Sequence, residues 1–155
     1  MQALTYTCYQ MYARMPTGIS PEFIQFHEMQ DFESGRNAPH YLLRPEAVES
    51  FFVLYHLTGD PVYREWGWEV FQAIERYCKT AAGYGQLHDV RVLTAKPENK
   101  MESFFLAETL KYLYLLFDPD TPIDLLNKHV FNTEAHPVRI FPAMDAAGVR
   151  NLLKD

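Results

Sequence analysis

The chain has 155 residues and is 48% hydrophobic, enough to build one packed core, which excludes a disordered tail and a small disulfide knot. With 14 Lys plus Arg against 20 Asp plus Glu, the formal charge is −6, so no basic face is available to neutralise a phosphate backbone and a nucleic-acid partner is excluded.

Residues 2–15 place Leu4, Tyr6, Cys8, Met11 and Tyr12 at helical spacing before Pro16-Thr17-Gly18 breaks the pattern. No basic region followed by an apolar run and a cleavage site precedes them, so no secretory signal is visible and, taken literally, the chain would stay in the cytosol. Ser20 to His40 is polar and carries the breakers Gly35, Asn37 and Pro39, which predicts a long exposed loop. Pro45 fits the first turn of a helix that continues from Glu46 and stops near Thr58-Gly59. Asp60 then caps a helix over about 61–79, giving a helical hairpin with a very short connection. A second loop spans about 81–97.

The helix expected over about 99–117 is apolar nearly all round, which predicts that other elements enclose it. A short helical turn is expected at 122–127, then an extended segment from Val130 to Thr133. Met144 to Lys154 forms a modest helix-like run. The longest apolar stretches, Phe51 to Tyr55 and Tyr112 to Phe117, fall far short of the ~20 residues needed to cross a bilayer. No repeat of fixed period marks a solenoid.

Several residues have the types and spacings that chemistry needs. Glu46 and Glu49 lie three apart at a helix N-terminus and project from one face, as a base with a metal or water partner would; first-turn acids are also enriched by the helix dipole alone. Phe104 and Glu108 lie four apart and share a helix face, a ring beside a carboxylate that suits a sugar, although a core Phe104 and a solvent-facing Glu108 fit the same pattern. Aromatics make up 15% of the chain, which agrees with a helical core and with a sugar cleft alike. Thr133 and Glu134 stand in a turn before His136-Pro137, where free carbonyls could coordinate a hard cation such as calcium, or simply shape the turn. None of the six histidines forms an HExxH pair, and GxSxG, Walker and GxGxxG motifs are absent, which sets aside zinc-hydrolase, serine-hydrolase and nucleotide-binding classes. Cys8 and Cys78 lack zinc-site spacing; one disulfide or two buried thiols both fit, with thiols preferred.

Four long motifs then occur in order. They are Leu43-Arg44-Pro45-Glu46-Ala47-Val48-Glu49-Ser50, Trp66-Gly67-Trp68-Glu69, the run from Met101-Glu102-Ser103 through Ala107-Glu108-Thr109 to Tyr112, and Val130-Phe131-Asn132-Thr133-Glu134-Ala135-His136-Pro137. Thr7-Cys8-Tyr9-Gln10 and Ser20-Pro21-Glu22 precede them. Together these closely resemble the C-terminal third of the class I α-1,2-mannosidases, glycoside hydrolase family 47, over about residues 4–137. The implied domain organisation is 1–137 as the C-terminal third of a catalytic barrel and 138–155 as a divergent tail.

The resemblance implies an all-α fold, part of an (αα)7 barrel, with a short strand or hairpin near its C-terminal end. It implies Ca2+ at the barrel floor and inverting removal of α-1,2-linked mannose from high-mannose N-glycans in the lumen of the endoplasmic reticulum or Golgi, the parent chain being anchored to the membrane upstream. On this pattern Glu46 is the catalytic base, a carboxylate far upstream being the alternative. Arg44, Phe104, Glu108 and Glu22 are substrate-binding positions. Thr133 binds calcium directly, and Glu49 and Glu134 hold it through water. An inverting glycosidase needs a general acid opposite its base. In the family that acid comes from the N-terminal part of the barrel, and at ~11–12 residues per helix 155 residues cannot supply fourteen barrel helices, so the chain is expected to be an inactive fragment of a longer protein. Cys8 matches a family cysteine whose partner lies upstream and should be unpaired here; Cys78 has no obvious counterpart.

A different functional class shares part of this pattern, the mannosidase-like oligomannose-binding proteins of glycoprotein quality control. Trp66-Gly67-Trp68-Glu69 and Met101-Glu102-Ser103 resemble the processing enzymes more closely. A helical scaffold without a site would require Glu46, Glu49, Glu108 and Thr133 to match family motifs by coincidence.

Overall fold

The computed structural model describes residues 2–28, 30–34 and 38–141. The expected helix-like run from Met144 to Lys154, and Gly35 and Asn37 of the expected loop, lie outside the described residues.

Helix α1 runs Gln2–Ala13, and a short antiparallel hairpin comes next, β1 (Ile24–His27) against β2 (Gln30–Ser34). The expected long loop over Ser20 to His40 is corrected by this hairpin, while the described residues remain mostly helical with a few short strands, consistent with the all-α expectation. Its polar sequence hides an aromatic clasp, with Phe26 edge-on to Phe32 at 5.2 Å and the guanidinium of Arg14, the residue that follows α1, 4.2 Å from the Phe32 ring, so the end of α1 is tied to the strands.

Helix α2 (Glu46–Thr58) opens after Pro45, whose carbonyl accepts the Glu49 N–H at 2.8 Å. It ends at Gly59, left-handed at φ 71°, with its N–H donating to the Tyr55 carbonyl. Asp60 and Pro61 complete the connection, and the Asp60 carboxylate accepts the Val62 N–H at 3.0 Å at the start of α3 (Val62–Tyr77), as the capping pattern predicts. Val48, Phe51, Phe52 and Leu54 of α2 are buried, as are Tyr63, Val70 and Ile74 of α3. Trp66 ties the first three helices together: it stacks on Tyr9 of α1 at 4.5 Å and meets Phe51 of α2 and Tyr63 of α3 edge-on. Gly67 lets α3 approach the next helix closely, since a Cβ there would run into Leu116.

That next helix begins at Ser103 rather than near 99. Its first part is a π-helical segment, Phe105–Thr109, which continues directly into α4 (Leu110–Phe117). Tyr112, Leu113 and Leu116 of α4 face inward and are buried, but Leu106 and Tyr114 are 56% and 68% exposed, so the helix is not enclosed on every side. In place of the expected helical turn over 122–127 a single closed turn lies at 124–128, where the Lys128 N–H donates to the Asp124 carbonyl at 3.0 Å and the Asp124 carboxylate accepts the amides of Leu126 and Asn127. β3 (His129–Phe131) then pairs antiparallel with β4 (Pro137–Arg139), the hairpin expected near the C-terminal end. Phe131 packs against Phe52 and Tyr112, which fixes this hairpin on α2 and α4.

The loop between α3 and the π segment is built in rather than loose. Leu87 exchanges both backbone hydrogen bonds with Tyr41, Val90 N–H donates to Pro39, and the buried Thr17 hydroxyl donates to the Val90 carbonyl at 2.6 Å. No helix among the described residues is long and apolar enough to cross a membrane. Cys78 is buried and Cys8 half-buried, and both are free thiols; burial pushes the Cys78 thiol up to about 12.

Candidate functional site

The chain enters α2 through a forced turn. Leu43 is fully buried and left-handed at φ 66°, a conformation that costs a residue with a Cβ about 1–2 kcal/mol. Its carbonyl accepts a 2.6 Å hydrogen bond from the buried Thr109 hydroxyl, on the π segment. The turn presents Arg44, whose Nε donates to Glu22 at 2.7 Å and whose Nη1 stands 4.0 Å from Glu46. Glu22 is itself held, because its other carboxylate oxygen accepts the Leu42 N–H at 2.9 Å. The hydrogen bond it donates to Glu22 holds the Arg44 guanidinium above its ordinary value, so it stays charged. That guanidinium lies 5.7 Å from the centre of the Phe104 ring.

Glu46 and Glu49 occupy the first turn of α2, where the helix dipole favours their ionised forms. The Glu46 side chain is 65% exposed and free to meet a ligand. Beside it a small cavity lies between α1 and the start of α2, lined by Tyr12, Glu22, Tyr41, Arg44 and Glu46. Burial, with Glu46 and Glu22 nearby, raises the Tyr12 hydroxyl well above its ordinary value, so this wall is a neutral donor. Burial, then the nearby Glu49 carboxylate, raises the Tyr112 hydroxyl of α4 above its ordinary value.

Glu108 joins the two helices electrostatically. Partial burial, then the charges of Glu46, Glu49 and Glu134, raise its carboxyl above the usual range, with Lys111 acting against them. Carboxylates of α2 and of the turn between β3 and β4 therefore act on one side chain of the π segment. Glu102 lies before the helix and pairs with Lys100 at 2.9 Å.

The turn of the second hairpin is organised by Asn132, whose side-chain oxygen accepts the amides of Glu134 and His136 at 3.0 and 2.9 Å. Ala135 is buried and left-handed at φ 56°, and its carbonyl accepts the Lys111 ammonium at 3.0 Å. Thr133 and Glu134 are exposed at the tip. Among the described residues no three His, Cys, Asp or Glu side chains converge closely enough to enclose a metal by themselves. The tip offers the oxygens of Thr133 and Glu134, with the His136 ring nitrogen 3.6 Å from Glu134, and the Lys111 ammonium only partly offsets the negative charge that acts on Glu108. Such a set fits a hard cation that binds the Thr133 oxygens and keeps much of its water. Sequence reasoning did not single out Thr109, Lys111, Tyr112 or Asn132. They stand inside its motifs, but act on backbone or on other side chains, which no spacing rule detects.

The profile of Glycosyl hydrolase family 47 matches residues 2–140. The chain is 49% identical over 144 residues to human mannosyl-oligosaccharide 1,2-alpha-mannosidase IC, covering 88% of this chain and 22% of that protein. It is 47% identical over 147 residues to the human endoplasmic reticulum mannosyl-oligosaccharide 1,2-alpha-mannosidase, covering 90% of this chain and 21% of the relative. The chain thus spans about a fifth of the length of these relatives. Its fold superposes on the alpha-1,2-mannosidase from Trichoderma reesei with a TM-score of 0.80 at 33% identity, over 89% of this chain and 33% of that one.

Proposed function

Because the chain belongs to glycosyl hydrolase family 47, we propose that it supplies the base side of an inverting 1,2-α-mannosidase site, within an (αα)7 barrel completed by further helices. The observation that carries this reading is the cluster around Arg44, which holds Glu22 at 2.7 Å, stands 4.0 Å from Glu46 and lies 5.7 Å from the Phe104 ring, joining motifs far apart in sequence.

Glu46 takes a proton from a water as that water's oxygen bonds to the anomeric carbon of the terminal mannose. The glycosidic C–O bond breaks, and a general acid outside this chain gives its proton to the leaving oxygen, the two carboxyls standing ~6.5–9.5 Å apart to admit the water. Arg44, fixed by Glu22, orients the Glu46 side and packs over Phe104, whose ring offers an apolar platform to a sugar face. Glu108, with its raised carboxyl, is suited to exchange hydrogen bonds with sugar hydroxyls. When bound, calcium supplies a hard positive charge that organises water and vicinal hydroxyls; Thr133 would hold it directly, and Glu49 and Glu134 through water. The substrate is a high-mannose N-glycan, and the setting is the secretory lumen, endoplasmic reticulum or Golgi, with a membrane anchor upstream.

The test is mannose release from an α-1,2-linked oligomannose by the full-length catalytic domain, with calcium and with chelator, alongside Glu46→Gln. Loss of the base is expected to lower kcat by about 100-fold or more with KM little changed. The 155-residue chain alone is expected to release none, because the acid partner lies outside it. Near-normal turnover by Glu46→Gln removes Glu46 as base. Oligomannose binding without release by the full-length domain places the protein with the glycan-binding relatives instead.

A further inference from the structure

Three non-glycine residues among those described are left-handed, Phe32, Leu43 and Ala135, and two of them flank the site. A strained residue persists only where its surroundings impose the conformation. For Leu43 and Ala135 the constraint comes from one helix: the Thr109 hydroxyl holds the Leu43 carbonyl at 2.6 Å, and the Lys111 ammonium holds the Ala135 carbonyl at 3.0 Å. At ~100° per residue these two positions lie ~200° apart around the helix, so it reaches a turn on either side of itself. The π segment ends at Thr109, and its extra residue sets the rotation of α4, hence the direction of Lys111, relative to the residues before it.

We infer that Thr109 and Lys111 are positioning residues: the first sets the turn that delivers Arg44 and Glu46, and the second sets the turn that carries Thr133 and Glu134. The inference rests on the α-mannosidase reading of the site. Thr109 is fully buried and its hydroxyl is spent on the Leu43 carbonyl, so its effect passes through the Leu43 backbone. Leu43 precedes Arg44 directly, and its left-handed turn is what brings the Arg44 side chain back to Glu22 while α2 starts at Glu46. Ala135 closes the Asn132 turn, and its left-handed backbone leaves Thr133 and Glu134 facing outward. Both ties join chain segments far apart in sequence to the same helix, so base side and metal side keep one spacing.

The experiment compares Thr109→Val, Thr109→Ser, Lys111→Met and Lys111→Met/Ala135→Gly in the full-length catalytic domain. It reads kcat and KM, calcium affinity by calorimetry, amide hydrogen exchange over residues 42–49 and 132–137, and Tm. Leaving a buried carbonyl without its donor is expected to lower kcat about tenfold in Thr109→Val with KM within about threefold, while Thr109→Ser stays within about threefold of wild type. Lys111→Met is expected to weaken calcium binding about tenfold, and Ala135→Gly to restore it, because glycine adopts the left-handed turn without a tie. Exchange should quicken at 42–49 in the first variant and at 132–137 in the other. A fall in Tm with kcat, calcium affinity and exchange unchanged overturns the inference, as does failure of Ala135→Gly to restore calcium binding, which would assign Lys111 a role by charge alone. Lys111 is only half-buried and its variants should fold, so that arm decides if Thr109→Val does not accumulate. A wild type that neither releases mannose nor binds calcium overturns the α-mannosidase reading, and the exchange measurements then still decide whether Thr109 and Lys111 set these turns.

Discussion

Glu108 is half-buried within the field of three other carboxylates, and its proton is held to a higher pH than that of a free side chain. The native state therefore binds this proton more tightly than the unfolded chain does. Stability falls as pH rises from the ordinary carboxylate value through the raised one, and the penalty is fully present at neutral pH. Glu108→Gln keeps the shape and removes the charge. In calcium-free buffer it should raise Tm at pH 7 by about 1–2 °C, a small figure because solvent screens a partly exposed group, and leave Tm unchanged below the usual carboxylate range. Equal shifts at both pH values would show that packing, not charge, explains the effect. The same residue shows how far the sequence could be read. Spacing alone put Glu46 and Glu49 on one helix face and Phe104 and Glu108 on another, and left the bland alternatives standing. Meeting across helices is a tertiary fact, and only the fold brings Glu134, some 26 positions away, into the same field. Thr109 and Lys111 were illegible for another reason: they serve backbone carbonyls, and any residue can present one of those.

At the scale of the elements, the hairpin of α2 and α3 was legible because each boundary has a local chemical cause. Gly59 supplies the left-handed cap that ends α2, and Asp60 caps the start of α3. A Cβ at Gly59 would meet no atom within 4 Å, so replacement tests the backbone alone. Gly59→Ala is expected to cost about 1–2 kcal/mol and Gly59→Asn distinctly less, since Asn tolerates this conformation. In urea the midpoint should fall with an unchanged slope. An Ala variant as stable as wild type would mean that the helix end relaxes and that the left-handed cap contributes nothing. Where local causes are weak, reading failed. The β1–β2 hairpin has a polar sequence, and its support is the Phe26–Phe32–Arg14 contact at the end of α1. The π segment was equally hidden, because its apolar spacing passes for an ordinary helix until Thr109 must reach Leu43.

At the scale of the whole molecule, the expectation that the helix over about 99–117 is enclosed by other elements meets an open face. Trp68 and Phe71 of α3 and Leu110, Leu113, Tyr114 and Phe117 of α4, with Asp118 just beyond, line a largely apolar cavity. Leu106 and Tyr114 stand more than half exposed, which is a large apolar surface to leave in water. In the proposed reading, further barrel helices cover this face, and the 89% overlap with a chain of which it represents only 33% leaves ample sequence to do so. The 155-residue chain by itself should then associate through that face. Light scattering is expected to show mass rising with concentration at neutral pH, and Leu106→Glu/Tyr114→Lys to suppress the rise without loss of helical signal, since both side chains point to solvent. The same pair of substitutions in the full-length catalytic domain should instead be destabilising, because there the positions are covered and a buried charge is costly. A chain that stays monomeric at high concentration, or a full-length domain indifferent to the double substitution, would show that this face is a true surface. The barrel that the proposed function requires would then have to close elsewhere.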